Sequence, residues 1–458
     1  MASPEASTGR TKRASARGLA LALLNRISQG QAYANILMRS SFKLNRLSPH
    51  DRALVTELVY GTLRWQAKLD TIIALHSHRP LNKLSRDILN ILRTGVYQLL
   101  WLDRIPAFAA VNEAVGLARE KVGQSGANFV NAVLRAVVKS RGRMEEPDPK
   151  TASLDELAGY YSQPAWLLEN WRGQWGLERA IKLAVDFNQR PPLTARVNRL
   201  RSSRAKLLAL LKKEVKEAQP TRYSPDGLIL QGVELDKLAS YRHGLITIQD
   251  EASQLVTHLL DPQPGETILD SCAAPGTKST HAAQLMGNQG RILALDISGA
   301  KLGLVNRECR RLGITNISCV RADTSRALPV GRRFRFDRIL LDAPCSGTGV
   351  IRRHPEGKWR QPDIKSLVGL QRKLLSNLVK YLKVKGTLVY SVCSTDRREG
   401  EMAVEEVLKR DQGLRFDPEV PAFAREALAI SDQPGSYRTY PSQGGMDGFY
   451  MAKIKRES

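Results

Sequence analysis

The chain has 458 residues, 42% hydrophobic and 25% charged, enough apolar material for several cores at about 150 residues per domain, and this excludes a collagenous, low-complexity or wholly disordered chain. Seventy Lys and Arg against 45 Asp and Glu give a formal net charge of +25, an argument for a polyanionic partner rather than for any fold. No uncharged apolar run approaches the roughly 18 residues that cross a bilayer, so no membrane partner is expected.

In chain order, residues 1–16 are a small, polar, basic tail with Arg10, Lys12 and Arg13. Residues 18–24 have the look of a short signal core, but Leu19, Leu23 and Ile27 continue at helical spacing, so export is not expected. Residues 17–143 read as an all-helical domain. Ser48, Pro49 and Asp51 mark a helix start, and Ile88, Leu89, Ile91, Leu92, Val96, Leu99 and Leu100 predict a buried helix interrupted by Gly95. Residues 144–153 have the acid and proline content of a linker, followed by a helix bearing Trp166 and Trp171. Strands over 194–198 and 227–230 about a helix over 204–211 complete a small α+β pre-catalytic module, residues 144–245 with the linker.

From residue 246 to 458 strands alternate with helices. Strands are predicted over 267–270, 291–296, 317–323, 336–342 and 386–392, the last preceded by a helix over 366–382. This is the pattern of a parallel, doubly wound, Rossmann-like α/β domain. Asp296, Asp323 and Asp342 close three of these strands, and ligands of such sheets bind outside the carboxyl ends, so the acids should converge on one crevice.

After the first strand comes Cys272-Ala273-Ala274-Pro275-Gly276-Thr277-Lys278 and then a helix. Small residues let a backbone approach a ligand, and the helix start offers free N–H groups. The loop lacks both the G-x-G-x-x-G fingerprint and the ending of a phosphate-binding P-loop. With Asp296 twenty residues beyond Gly276 to take ribose hydroxyls, the spacing suits S-adenosylmethionine or some other nucleoside-bearing ligand. The five cysteines are an odd number with no C-x-x-C pair, which indicates reduced thiols and a cytoplasmic chain. Cys309 and Cys319 read as buried small hydrophobes. Cys345 and Cys393 both follow strand ends, where a loop context favours chemistry. The close histidine pair His76 and His78 has no further ligand nearby, so no metal is expected.

These motifs resemble those of the RNA cytosine-C5 methyltransferase family of the Sun or Fmu type (RsmB/NOP), over nearly the whole chain. In the helical domain HDRALVTELVYGTLRW (50–65), YQLLWLDRIPAFAAVNEAV (97–115) and NFVNAVLR (128–135) look like the RNA-binding domain related to the antitermination factor NusB. Beyond it LDSCAAPGTKS, LALDIS, RADTS, LLDAPCSGTGVIRRHPE, YSVCS and DGFYMAKI (447–454) follow the family's order and spacing.

The resemblance implies a class I methyltransferase fold, S-adenosylmethionine as cofactor and a cytosine of small-subunit (16S) ribosomal RNA as substrate. C5 of cytosine is a poor nucleophile, so a thiolate must first add to C6; the resemblance gives that role to Cys393. Asp342 would donate a hydrogen bond or proton at N3, which asks for an acid raised by a dry pocket, and Cys345 would assist release. The rival assignment makes Cys345 the attacking thiol, because Pro-Cys carries the nucleophile of DNA cytosine-C5 methyltransferases; the presence of both cysteines favours Cys393. The cofactor would lie along residues 272–278, with Asp296 on the ribose, Asp323 near the adenine and Asp342 near the methionine end.

Arg352, Arg353, His354, Lys358, Trp359 and Arg360 are expected to hold RNA phosphates and stack a base, with Arg196, Asn198 and Arg199 as further candidates. Arg332, Arg333 and Arg335 read as a solvated basic face. Three departures from the family pattern are Thr277 for Gly, Val392 for Thr and Gly400 for Asn. The chain is expected to act as a monomer on RNA in the cytoplasm. Competing readings are a non-catalytic RNA-binding assembly factor and the same chemistry on transfer RNA.

Overall fold

The computed structural model describes residues 15–30, 33–45, 47–235, 237–331, 333–428 and 433–458. The basic tail ahead of Ser15, and Arg332, lie outside the described residues. The chain divides into two compact units, Met1–Asn188 with His354–Arg360, and Gln189–Arg353 with Gln361–Ser458.

The first unit is helical: α1 Ala16–Ser28, α2 Ala34–Leu44, α3 Pro49–Arg64, α4 Gln66–His76, α5 Arg86–Trp101, α6 Ala107–Ser140, α7 Leu154–Tyr160, α8 Ala165–Trp175 and α9 Leu177–Asp186. Local chemistry sets the starts. Ser48 accepts the Asp51 N–H ahead of Pro49 in α3, Ser85 accepts the Ile88 N–H in α5, and Ser153 with Glu156 closes a capping box on α7. Leu58, Val59, Ile91, Leu92, Val130 and Val133 meet in one core, each buried aliphatic side chain contributing about 1.5–3 kcal/mol. Gly95 lets α5 approach α6, since a Cβ there would stand 2.9 Å from the Leu134 side chain. Trp171 of α8 stacks on Phe187 at 5.6 Å. In this division α7–α9, read from sequence with the α+β module, fall with the helices.

The second unit opens with β1 Leu193–Val197, α10 Arg204–Leu211, β2 Glu217–Pro220, β3 Gly227–Gln231, α11 Ala239–Arg242 and β4 Ile246–Ile248. The strands form an antiparallel sheet in the order β2-β3-β1-β4. There follow α12 Glu251–Leu260, β5 Thr267–Asp270, α13 Thr277–Leu285, β6 Arg291–Asp296, α14 Gly299–Leu312, β7 Ile317–Arg321, β8 Phe336–Asp342, α15 Ile364–Leu378, β9 Leu382–Val392, α16 Glu401–Arg410, β10 Leu414–Phe416, β11 Ser436–Thr439 and β12 Phe449–Arg456. The second sheet runs β10-β12-β9-β8-β5-β6-β7, with β11 also on β12. Strands β5 to β9 are parallel, while β12 inserts antiparallel beside β9.

Apolar runs such as Ile339-Leu340-Leu341 suit strands covered on both faces. The strand order reverses between β5 and β8, and such a switch point opens the binding crevice at the carboxyl ends. No helix among the described residues is long and apolar enough to cross a membrane.

Candidate active site at the switch point

The loop between β5 and α13 is tied to its neighbours by backbone. Ser271 N–H donates to Leu340 O and Ala273 N–H to Leu295 O at 3.0 and 2.9 Å. Gly276 takes φ +100°, where a side chain is strained and a Cβ would also press on Val305 at 2.9 Å. That turn starts α13 with its first N–H groups facing the crevice end of the sheet. Asp296, at the end of β6, accepts from Ala274 N–H at 3.3 Å and Ser298 N–H at 2.8 Å. Asp323 lies two residues past β7, accepting from Ser325 N–H and paired with Arg326 at 3.1 Å, and the Ser325 contacts hold its carboxyl below the ordinary value.

Behind the loop, Asp270 is buried with Ser279 Oγ donating to Oδ2 at 2.6 Å and Oδ1 without a partner. Burial pushes its carboxyl up to about 7. Burial likewise pushes the Cys272 thiol up to about 12, so this cysteine lines the loop as a neutral small side chain.

The three remaining site residues meet after β8 and β9. Cys345 Sγ and Cys393 Sγ lie 3.4 Å apart. Contact with Cys393 is the main cause holding the Cys345 thiol well above its ordinary value, with burial next. Asp342 accepts from Ser391 Oγ at 2.7 Å and from Lys278 Nζ at 2.6 Å. Burial opposes the Lys278 charge, but the Asp342 carboxylate outweighs it and a Cys393 thiolate adds to it, so the ammonium is held above its ordinary value. The pocket expected to be dry around Asp342 is partly open: its side chain is 32% exposed and lies 2.6 Å from Lys278 Nζ. Lys278, which the sequence reading placed only along the cofactor, thereby stands against Asp342 beside the cysteine pair.

A residue that sequence reasoning missed holds the two cysteine loops together. Glu399 is fully buried. Its Oε2 accepts from Ser346 Oγ and Ser394 Oγ, both at 2.5 Å, and its Oε1 from Ser346 N–H at 2.8 Å and the Gln371 amide at 3.0 Å. Ser346 and Ser394 each follow a site cysteine. Gly349 N–H donates to Cys393 O at 3.0 Å and Thr395 N–H to Thr348 Oγ1 at 2.9 Å. The sequence shows only a Glu six residues after Cys393, and its burial between the two loops is visible in the fold alone.

The basic segment after Cys345 departs from its expected role. Arg352 is buried and spends its guanidinium on Gly445 O, Met446 O and Asp447, while Arg353 bridges Asp447, Asp250 and Pro192 O. Lys358 is buried in the helical unit, with Nζ donating to Arg64 O, Ser162 O and Asn188 Oδ1 at 2.9, 2.6 and 3.2 Å. Trp359 donates to Leu63 O and Arg360 to Ile27 O; His354 stands 3.7 Å from Glu356. Arg352 and Lys358 thus serve internal acceptors rather than phosphates, and only Arg360 of the six is exposed. Arg196 and Asn198 are corrected in the same way. Arg196 is buried on Gln249, Gln284, Thr280 Oγ1 and Thr277 O, where it braces the first turn of α13, and Asn198 donates to Gly244 O and Leu312 O.

Comparison with known proteins bears on this arrangement. Residues 257–455 match the family described as 16S rRNA methyltransferase RsmB/F, residues 14–139 the NusB family and residues 163–234 the ferredoxin-like domain of RsmF/B-like methyltransferases. The chain is 35% identical over 452 residues to the probable ribosomal RNA small subunit methyltransferase B of Bacillus subtilis, covering 97% of this chain and 100% of that one. It is 35% identical to ribosomal RNA small subunit methyltransferase B of Pseudomonas syringae pv. tomato, covering 90% and 91%. Among solved structures, that of PH0851 matches with TM-score 0.79 at 25% identity over 96% of this chain and 99% of that one. A methyltransferase homolog protein from Pyrococcus horikoshii matches with TM-score 0.57 at 29% identity over 67% and 99%. Full-length identity of this order, joined to the NusB and methyltransferase matches, shows that the chain belongs to the RsmB/F family of 16S rRNA methyltransferases.

Proposed function

We propose that the protein methylates C5 of a cytosine in small-subunit ribosomal RNA, using S-adenosylmethionine and a covalent adduct between Cys393 and C6 of the base. The observation that carries the reading is the Cys345–Cys393 sulfur contact beside the Lys278–Asp342 pair. Cys345 is held in its protonated form 3.4 Å from the sulfur of Cys393, to which it can donate. This contact supports Cys393 as the attacking sulfur, with Cys345 as the donor that steadies it when it leaves.

The cofactor supplies an electrophilic methyl group on a cationic sulfur. The residues present fit such a ligand: Asp296, Asp323 and Asp342 gather carboxylates at or just beyond neighbouring strand ends of a chain whose net charge is +25, and Asp270 Oδ1 behind the loop is buried without a partner. Residues 272–278 would hold it, with Asp296 accepting from the ribose. At the base, Lys278 and Asp342 together present a carboxylate and a transferable proton toward N3 as the thiolate adds at C6. A base within a duplex must be flipped out to reach these groups.

Bisulfite sequencing of ribosomal and transfer RNA from cells lacking the gene, complemented by wild type or Cys393→Ala, tests the reading. One small-subunit cytosine should lose protection and regain it only with wild type. A changed cytosine in transfer RNA alone overturns the substrate, and no change at all favours an assembly factor without turnover.

A further inference from the structure

We propose that Asp226, His258 and His281 form a binding site for a divalent transition metal, zinc by geometry, which pins the antiparallel module to the helix that begins at the cofactor loop. The three residues come from separate parts of the second unit: the turn ahead of β3, the last turn of α12 and the middle of α13. All three are buried. Asp226 Oδ2 lies 3.3 Å from His258 Nε2 and 3.4 Å from His281 Nε2, and one donor atom from each residue falls within 4.8 Å of the others.

His281 Nε2 meets Asp226 Oδ2 in a hydrogen bond that is long, and the His258 contact makes none. N–H···O bonds concentrate near 2.9–3.0 Å, whereas zinc bonds of about 2.0–2.1 Å in a tetrahedron set neighbouring ligand atoms about 3.3–3.4 Å apart; the two Asp226–histidine edges have that length, and the three donors, all within 4.8 Å, would close up on the ion. His258 Nε2 is buried and makes no hydrogen bond, although it lies close to the carboxylate oxygen. A cation between the three donors gives that nitrogen a partner. Arg199 Nε stands 3.5 Å from the other carboxylate oxygen, Oδ1, where an outer partner orients a ligating carboxylate.

Two imidazoles and one carboxylate suit zinc and its neighbours better than calcium or magnesium, which favour oxygen ligands. A fourth position is left to water. Sequence spacing could not show the site, since its members are 32 and 23 residues apart. Its consequence is mechanical: His281 is four residues beyond Thr277, so an occupied site fixes the start of α13 against the module that carries Asp226.

The test uses the full chain, stripped with a chelator, equilibrated with zinc or cobalt(II) and freed of unbound metal. Wild type should retain one equivalent per chain with a raised melting temperature, and the cobalt form should show the visible bands of a four-coordinate site without thiolate charge transfer. His258→Gln and His281→Gln should lose the metal while melting where stripped wild type melts; the Cys345→Ser, Cys393→Ser double variant should keep it. Less than a tenth of an equivalent in wild type with no thermal shift overturns the proposal, as does full retention by His258→Gln. If the histidine variants fail to fold, the wild-type cobalt spectrum decides: thiolate charge transfer places the metal on the cysteines and the site falls.

Discussion

Asp270 illustrates how a single buried group sets a condition on the whole site. Its folded-state value of about 7 lies above the unfolded value of about 3.9. The native protein therefore holds a proton that the unfolded chain has released, and stability falls as pH rises from about 4 to 7, with the loss complete above that window. Asp270→Asn removes the penalty. It should be more stable than wild type at pH 8, by up to about 4 kcal/mol, and no more stable at pH 4. Urea unfolding at both pH values checks this, and equal stabilities at pH 8 contradict it. Lys278 shows the converse case, a buried cation retained because Asp342 is 2.6 Å away.

Between elements, the site depends on how the loops after β8 and β9 are joined. The Glu399 carboxylate takes four hydrogen bonds from Ser346, Ser394 and Gln371. Glu399→Gln should cost about 1–3 kcal/mol of stability and, by loosening the cysteine pair, lower kcat about 10–100-fold with little change in KM for the cofactor. Single-turnover methyl transfer measures this, and an unchanged kcat removes Glu399 from any positioning role. Much of this architecture was legible beforehand. Strands β5, β6 and β8 were read to the residue, because continuous apolar runs ending in Asp are local signals. The strand character of β12 was not, since its pairing with β9 joins residues some sixty positions apart. Arg352 and Lys358 were misread for the same reason. Whether a basic side chain faces water depends on acceptors such as Asp447, Arg64 O and Ser162 O, which are 95, 294 and 196 positions away.

For the molecule as a whole, the charge of +25 predicts RNA binding that weakens steeply with salt. Each phosphate contact should add about −0.7 to −0.9 to the slope of log K against log salt. Lys358→Met should leave that slope unchanged and instead destabilise the protein by about 1–3 kcal/mol, since three oxygens lose their donor. Filter binding across a salt series with a parallel melting curve tells the two apart. A shallower slope with unaltered stability restores Lys358 to the RNA surface.

The most direct test of the central claim is to identify which sulfur bonds the base. Small-subunit ribosomal RNA carrying 5-fluorocytidine blocks the loss of the C5 proton, so the adduct persists and its peptide can be sequenced by mass spectrometry. The account predicts a bond to Cys393, none in Cys393→Ala, and accumulation of the same Cys393 adduct on natural RNA in Cys345→Ala. An adduct on Cys345 would contradict it.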